Sequence, residues 1–499
     1  MVNQMFKVRK LDVSRGNPFV VVINADDAKG MNIHIDDRVE VYWKSKRFVA
    51  VIELGDTSVD SGEIGFFKET AEKFDGDMPE SVSVRPFVKP DSVGYIKRRL
   101  LGTPLKSEEI RQIVYDLMEN KISSVEASYF VASAYVQRLS FEEEESLTRA
   151  IVDAGETIKF KKGPVLDKHS IGGVPGNRTT PIVVPIIAAA GYLIPKTSSR
   201  AITSPAGTAD VLEVLCNVSY SAKEMKALTE KSGGAMIWGG SVNLAPVDDI
   251  LLKLRYPLRL DPISFLLASI LAKKKSVGAQ KVLIDIPLGA KVKDIGSARD
   301  LAYRFKNLGR KLKMDVKALI TDGYQPIGYG VGPSLEARDI LKVFNGEGPK
   351  DLVKKSVRLA GEMLEMAGES NGEKLAMKLL KNGKAARKFK EIIEAQGGNP
   401  KLKPKDIPVG KYTYDVKSKV STHSIMYDSD VVARLARLAG APAIKGAGLE
   451  LLKVPGSKVK EGQSIIRVRT PVETRISEIE KFLKNTGVTA SRNVVIDSV

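Results

Sequence analysis

Sulfur and imidazole are scarce in this chain. One cysteine, Cys216, among 499 residues has nothing to pair with, so no internal disulfide staples the fold and a reducing compartment is expected. The three histidines, His34, His169 and His423, lie far apart in sequence and exclude a His/Cys zinc cluster of ordinary spacing. No metal and no organic cofactor is expected. Long apolar runs are missing as well. The longest, residues 181–195, is interrupted by Pro185 and is too short for a bilayer, and the opening MVNQMFKVRK lacks the apolar core of a secretion signal. The expectation is a soluble cytoplasmic protein with no membrane partner. Two phosphate signatures are absent too. Without GxxxxGK[ST] or a GxGxxG fingerprint, a kinase or a dehydrogenase is disfavoured.

Charge is plentiful. The net charge of +18 raises nucleic-acid binding as one explanation. Yet Lys and Arg are interleaved with Glu and Asp, with no arginine-rich arm and no alternation with aromatics, so no nucleic-acid partner is expected. A positive field that draws in phosphate and a nucleotide serves equally well. Many of these charges are ordinary solvated helix faces.

The most informative stretch is residues 167–208. It reads DKHSIGGVPGNRTT, then the apolar run PIVVPIIAAAGYLIP, then KTSSRAITSPAGT. Two loops rich in glycine, hydroxyls and cations flank a segment long enough to begin a buried helix. Glycines let backbone N–H groups approach an anion, hydroxyls donate hydrogen bonds, and Lys and Arg neutralise charge. One such loop would be read as a turn. Two of them, separated by about one element, point to phosphate binding.

The rest of the chain supplies a frame. Residues 1–85 carry β-branched, partly alternating runs and read as a barrel-like β domain suited to assembly, with His34 structural. Residues 92–158 repeat apolar residues at helical spacing and read as a small helical domain, completed by part of 240–272. Residues 159–400 alternate short strands with helices, which implies an α/β domain with a mostly parallel sheet and ligands beyond the carboxyl ends of its strands. KTSSR, WGGS, LGAKVK and ITDG all fall at such ends. Residues 398–410 read as a linker, and 411–499 as a C-terminal α+β module resembling a half-barrel. Asp261 before Pro262 reads as a helix cap, and the run from Lys273 to Lys275 as a solvated helix end.

The motifs KHSIGG, SSRAITSPAGT, LRYPLRLDPISFLLASILAKK and ITDGYQPIGYGVGPSLEARDIL, in that order, resemble those of the thymidine and pyrimidine-nucleoside phosphorylases. The resemblance covers the chain from about residue 92 onward. It implies phosphorolysis, with phosphate held by Lys168, Ser170, Gly173, Ser198 and Thr208, and with His169 near the sugar and base. It implies base contacts from Ser269 and Lys273 and from Arg255 or Arg259. Asp261 matches an aspartate ahead of the base-binding helix and would be the proton donor to the base. A carboxylic acid does this at neutral pH only where burial raises its pKa.

Two departures from the family matter. The first loop reads VPGNRTT, which shifts Thr179 one residue from the family's serine and leaves Arg178 a weaker candidate. The second reads AITSPAGT and lacks the family's histidine. The donors Ser199, Arg200, Ala201, Ile202, Thr203 and Ser204, with Lys293 as a further cation, suit a substrate 5′-phosphate. The expected partners are therefore AMP, with CMP and UMP also possible, and inorganic phosphate. The products would be adenine and α-D-ribose 1,5-bisphosphate, in nucleotide degradation and salvage. The alternative is cleavage of nucleosides lacking a 5′-phosphate. An anthranilate phosphoribosyltransferase-like activity would need a diphosphate loop beside Asp248 and Asp249, which the sequence does not offer. The family implies a homodimer, and the added N-terminal domain a larger homo-oligomer.

Overall fold

A computed structural model describes residues 4–16, 19–74, 77–201, 204–255, 257, 258 and 260–489. The chain divides into two compact units, one of Met1–Ala154 with Pro246–Ala268, the other of Gly155–Ala245 with Ser269–Val499.

The first unit opens with six strands: β1 (Gln4–Lys10), β2 (Val20–Ile23), β3 (Arg38–Trp43), β4 (Lys46–Leu54), β5 (Glu63–Phe66) and β6 (Ser81–Pro86). They close into a barrel in the order β1-β5-β2-β4-β3-β6, with β1–β5 and β2–β4 parallel. Alternation sets its inside: along β6, Val82 and Val84 are buried while Ser81 is exposed. Phe6, Ile23, Phe48, Phe66 and Phe74 fill the core. His34 is exposed, with Nδ1 3.4 Å from Asp37. Helices Asp91–Leu100, Ser107–Met118, Ser124–Val136 and Phe141–Asp153 follow, joined by Pro246–Arg255 and the first turns of Ile263–Ser276. Two start at serine caps, where Ser123 and Ser140 accept from the amides of Glu126 and Glu143 and those carboxylates bond back.

Asp261 is not the cap the sequence suggests. The amide of Leu266 bonds the carbonyl of Pro262, so Pro262 holds the cap position and the helix opens at Ile263.

The second unit is α/β. Strands β7 (Leu166–Ser170), β8 (Ile194–Ser198), β9 (Gly234–Trp238), β10 (Lys281–Leu288) and β11 (Asp315–Asp322) form two parallel sheets, β11-β10-β7 and β8-β9. A parallel bridge between Val165 and Leu193 ties β7 to β8. The helix Thr180–Ala189, apolar all round and wholly within the core, packs with Pro333–Phe344, Lys350–Met366 and Lys384–Ala395. Strands β12 (Gly330–Val331), β13 (Tyr412–Lys417), β14 (Gly448–Leu451) and β15 (Ser464–Thr470) make an antiparallel sheet, β12-β14-β15-β13. Helices Ser429–Ala439 and Arg475–Asn485 cover it.

The expected linker at 398–410 is instead part of the packed fold. Ile407 is buried in the α/β core and its carbonyl accepts from Arg338, while a Cβ on Gly398 would stand 2.2 Å from the carbonyl of Leu215. Glycine and proline there mark tight packing rather than freedom.

Candidate active site

The carboxyl ends of β7, β8 and β10 carry the site. Residues in β7 pair in parallel with β10, Lys168 opposite Leu283 and Ser170 opposite Asp285. The single Val165–Leu193 bridge brings the start of β7 beside the start of β8. Both β7 and β8 end in Lys-x-Ser, and the period of two places the Lys and Ser of each triplet on one face.

Buried charge organises these ends. Asp167, with no exposed surface, accepts from Lys274 Nζ at 2.6 Å, lies 3.7 Å from Lys196 Nζ, and takes the amide of Lys168 at 2.7 Å. Lys168 Nζ donates to Thr179 Oγ1 at 2.6 Å, at the head of the helix Thr180–Ala189. Burial pushes Lys168 down to about 8, against the pull of Asp285. Lys196 is likewise held well below the ordinary lysine range by burial, against Asp167 and assisted by Lys274. Enclosure, then Lys274, Lys196, Lys168 and Lys273, keep the His169 imidazole neutral. Ser170 donates to Asp285 Oδ2 at 2.8 Å and Thr321 to Oδ1 at 2.6 Å. The buried Ser198 hydroxyl has no hydrogen-bond partner among the described residues. Five cationic side chains, Lys168, Lys196, Lys274, Lys355 and Arg178, stand against the carboxylates of Asp167, Asp285 and Glu336. A site of that composition is built to receive an anion.

The loops fit the same purpose. Gly172 and Gly173 have φ of 85° and 94°, and a Cβ on Gly173 would press within 3.2 Å of the Lys291 amide nitrogen, so the loop after β7 lies against the loop after β10. Arg178 bonds Glu336 at 2.6 Å, Thr208 Oγ1 at 2.9 Å and the Ala206 carbonyl at 2.9 Å, joining the two loops. In the second loop Asp210 takes the amides of Ala201 and Gly207 at 2.7 and 2.8 Å. Arg200 is committed to Glu213 through both terminal nitrogens and lies over the Trp238 ring at 4.6 Å. Ser199 is exposed, and Ser204 donates to the carbonyl of Ala206. Ile202, Thr203 and Arg259 lie outside the described residues.

Ser269 and Lys273 share the helix Ile263–Ser276 with Lys274, whose bond to Asp167 draws that helix's last turns to β7. Lys293 is exposed, with Nζ 3.5 Å from the carbonyl of Gly289. Asp261 belongs to the first unit, is 46% exposed and pairs with Arg255 at 3.3 Å.

Sequence reasoning missed Asp167, Lys196, Lys274, Asp285 and Lys355. One signal was available. Lys274 follows Leu267, Ile270 and Leu271 at helical spacing, so it continues a buried stripe rather than a solvated end, and it is 2% exposed. Asp285 interrupts an apolar strand between Ile284 and Ile286.

Residues 93–155 match the glycosyl transferase family's helical bundle domain, and residues 162–260 its a/b domain. The chain is thus a glycosyl transferase of the helical-bundle and α/β class. A solved structure of anthranilate phosphoribosyltransferase from Thermus thermophilus shares the fold over 62% of this chain and 100% of its own, at TM-score 0.51 and 19% identity. Much closer in sequence is the AMP phosphorylase of Thermococcus kodakarensis, 43% identical over 99% of both chains. The AMP phosphorylase of Pyrococcus furiosus is 44% identical over 95% of both, and that of Methanosarcina barkeri 45% over 91% of both. The chain belongs to the AMP phosphorylases, within the pyrimidine-nucleoside phosphorylase family whose motifs it carries.

Proposed function

We infer that this protein phosphorolyses AMP to adenine and α-D-ribose 1,5-bisphosphate. The observation that carries this reading is near-full-length identity to proteins named AMP phosphorylase in three archaeal genera. The cation-rich strand ends support it physically. Inorganic phosphate is held by Lys168, Ser170, Ser198 and Thr208 with the Gly173 backbone, and one of its oxygens attacks the anomeric carbon. The C1′–N bond breaks with its electrons passing to the base, through an oxocarbenium-like sugar. Asp261 gives the proton to the departing base. His169, kept neutral by burial amid four lysines, lies near the sugar and base as the second catalytic candidate.

Ser269 and Lys273 hold the base. The loop of residues 199–204 and Lys293 take the 5′-phosphate, Arg200 by fixing that loop through Glu213. CMP and UMP are further substrates, and the protein acts in the cytoplasm as a homodimer or larger homo-oligomer in nucleotide salvage. No described helix is long and apolar enough to cross a membrane. The four-domain division, 1–85, 92–158, 159–400 and 411–499, is part of the same reading.

The decisive assay supplies phosphate with AMP or adenosine and follows free adenine. Adenine from AMP and little from adenosine is the expected result. Release from nucleosides alone would return the protein to the nucleoside branch. In the same assay Asp261→Asn should bind AMP normally and lose kcat by about a hundredfold or more. An unchanged kcat would remove Asp261 from the chemistry.

A further inference from the structure

Lys355 belongs to the cation cluster at the strand ends, but none of the phosphorolysis steps assigned above uses it. It lies in the helix Lys350–Met366, three residues after Leu352 and four before Leu359, both buried, so helical spacing turns it into the core. Its ammonium nitrogen is buried and has no hydrogen-bond partner among the described residues. The carboxylate beside it is Asp285, with Oδ2 at 3.5 Å, slightly beyond a good charge-assisted bond. Both Asp285 oxygens already accept from hydroxyls, those of Ser170 and Thr321. Burial pushes Lys355 down, against the pull of Asp285, and the charge of Lys355 helps push Lys168 down as well.

That geometry is unfavourable for the empty protein and well suited to a bound anion. Two enclosed ammoniums lean chiefly on the one carboxylate of Asp285, so a further anion beside them is stabilised. Ser170 poses a second problem. A hydroxyl that gives its only proton to Asp285 offers an anion nothing but lone pairs. Ser170 can turn that proton toward phosphate only if another donor takes over at Asp285 Oδ2. Lys355 stands within a small side-chain movement of doing so.

We propose that Lys355 is a positioning residue of the phosphate site, whose ammonium closes on Asp285 when inorganic phosphate binds and so frees the Ser170 hydroxyl to donate to the anion. This rests on the phosphorolysis reading only for the identity of the anion.

The test is the Kd of inorganic phosphate, measured by calorimetry on the full-length protein without nucleotide. Lys355→Met should weaken binding by about tenfold, the size of one interaction of about 1.4 kcal/mol. Lys355→Arg should stay within about threefold of wild type, and Asp285→Asn with Lys355→Met should recover most of the loss, because the uncompensated carboxylate is gone. A purely structural lysine would lower the melting midpoint and leave the phosphate Kd alone. Unchanged affinity in Lys355→Met, or a wild-type protein that binds no phosphate, overturns the proposal. Should the methionine variant not fold, Asp285→Asn alone decides: phosphate affinity should be kept within about threefold or improve, and a tenfold loss sinks the idea. Phosphate binding without adenine release from AMP would remove the assigned reaction and leave this proposal standing.

Discussion

The barrel and the α/β unit handle charge in opposite ways. Around the barrel, ion pairs lie outside: Arg9 with Glu63 at 3.6 Å, Lys68 with Asp12 at 2.8 Å and Arg47 with Glu40 at 3.1 Å, each with at least one partner near half-exposed. Its core is a cluster of apolar and aromatic side chains, such as Phe66 stacked on Phe74, and holds no ion pair among the described residues. The α/β unit encloses its pairs, with Lys274 on Asp167 at 2.6 Å and Arg178 on Glu336 at 2.6 Å, all nearly sealed from water. Charge out of water is costly, and breaking one partner leaves the other unpaired. A fold that keeps an excess of enclosed ammoniums is therefore using them. The number of charges says little, since both regions are rich in them; what sets the strand ends apart is an enclosed excess of ammoniums.

The sharpest way to break this contrast is Lys168→Ala. If the enclosed lysines are there for phosphate, kcat/KM for AMP phosphorolysis should fall by roughly a thousandfold while the circular dichroism spectrum stays native. Normal turnover would reduce the cluster to an expensive piece of packing.

Asp167→Ala comes next and tests enclosure through stability. It strands Lys274 and Lys196 without their shared carboxylate, and urea unfolding should show a loss of about 3–5 kcal/mol. A loss below about 1 kcal/mol, typical of exposed pairs, would mean water reaches these lysines and the contrast with the barrel is false.

How much of this was readable beforehand follows from the same contrast. The barrel and the helical bundle announce themselves through period 2 and period 3.6, and the parallel strands, buried on both faces, as short apolar runs. The two loops at 167–208 stood out by composition alone. The carboxylates and lysines beneath them did not, since partners such as Lys274 and Asp167 are a hundred residues apart and nothing local links them. Lys274 looked like a solvated end because it stands in a run of three lysines; only its position on the stripe of Leu267 and Leu271 separates it from its neighbours. Arg200 is a different case. A loop arginine reads as an anion ligand, yet Glu213, which this same pairing with Arg200 and Lys445 holds down to about 2, already claims it. The start of the helix at Ile263 rather than Pro262 was beyond any sequence rule, since Asp-Pro supports both placements.

pH offers a milder probe of the enclosed cluster. Lys168 in the folded protein titrates at about 8, below a free lysine. Under about pH 8 both folded and unfolded chains hold its proton. Between there and roughly pH 10.4 the unfolded chain holds more, so this group makes the phosphate-free protein more stable as pH rises through that window. Phosphate affinity runs the other way, because the ammonium that binds the anion is lost. Calorimetry should find phosphate binding weaker at pH 9 than at pH 7 by up to about tenfold. A Kd that does not change over that range would mean Lys168 keeps its proton and is better solvated than its enclosure implies.

The smallest effect belongs to the barrel. Arg9 is about half-exposed and meets Glu63 at 3.6 Å, long for a charge-assisted bond. Water screens such a pair, and fixing two flexible side chains offsets the attraction. Arg9→Ala should therefore change the unfolding free energy in urea by less than about 1 kcal/mol and leave the phosphate Kd unchanged. The value of so quiet a variant is as a control. A loss as large as that of Asp167→Ala would show that the two regions hold charge by the same means, and enclosure would no longer tell a site from a surface.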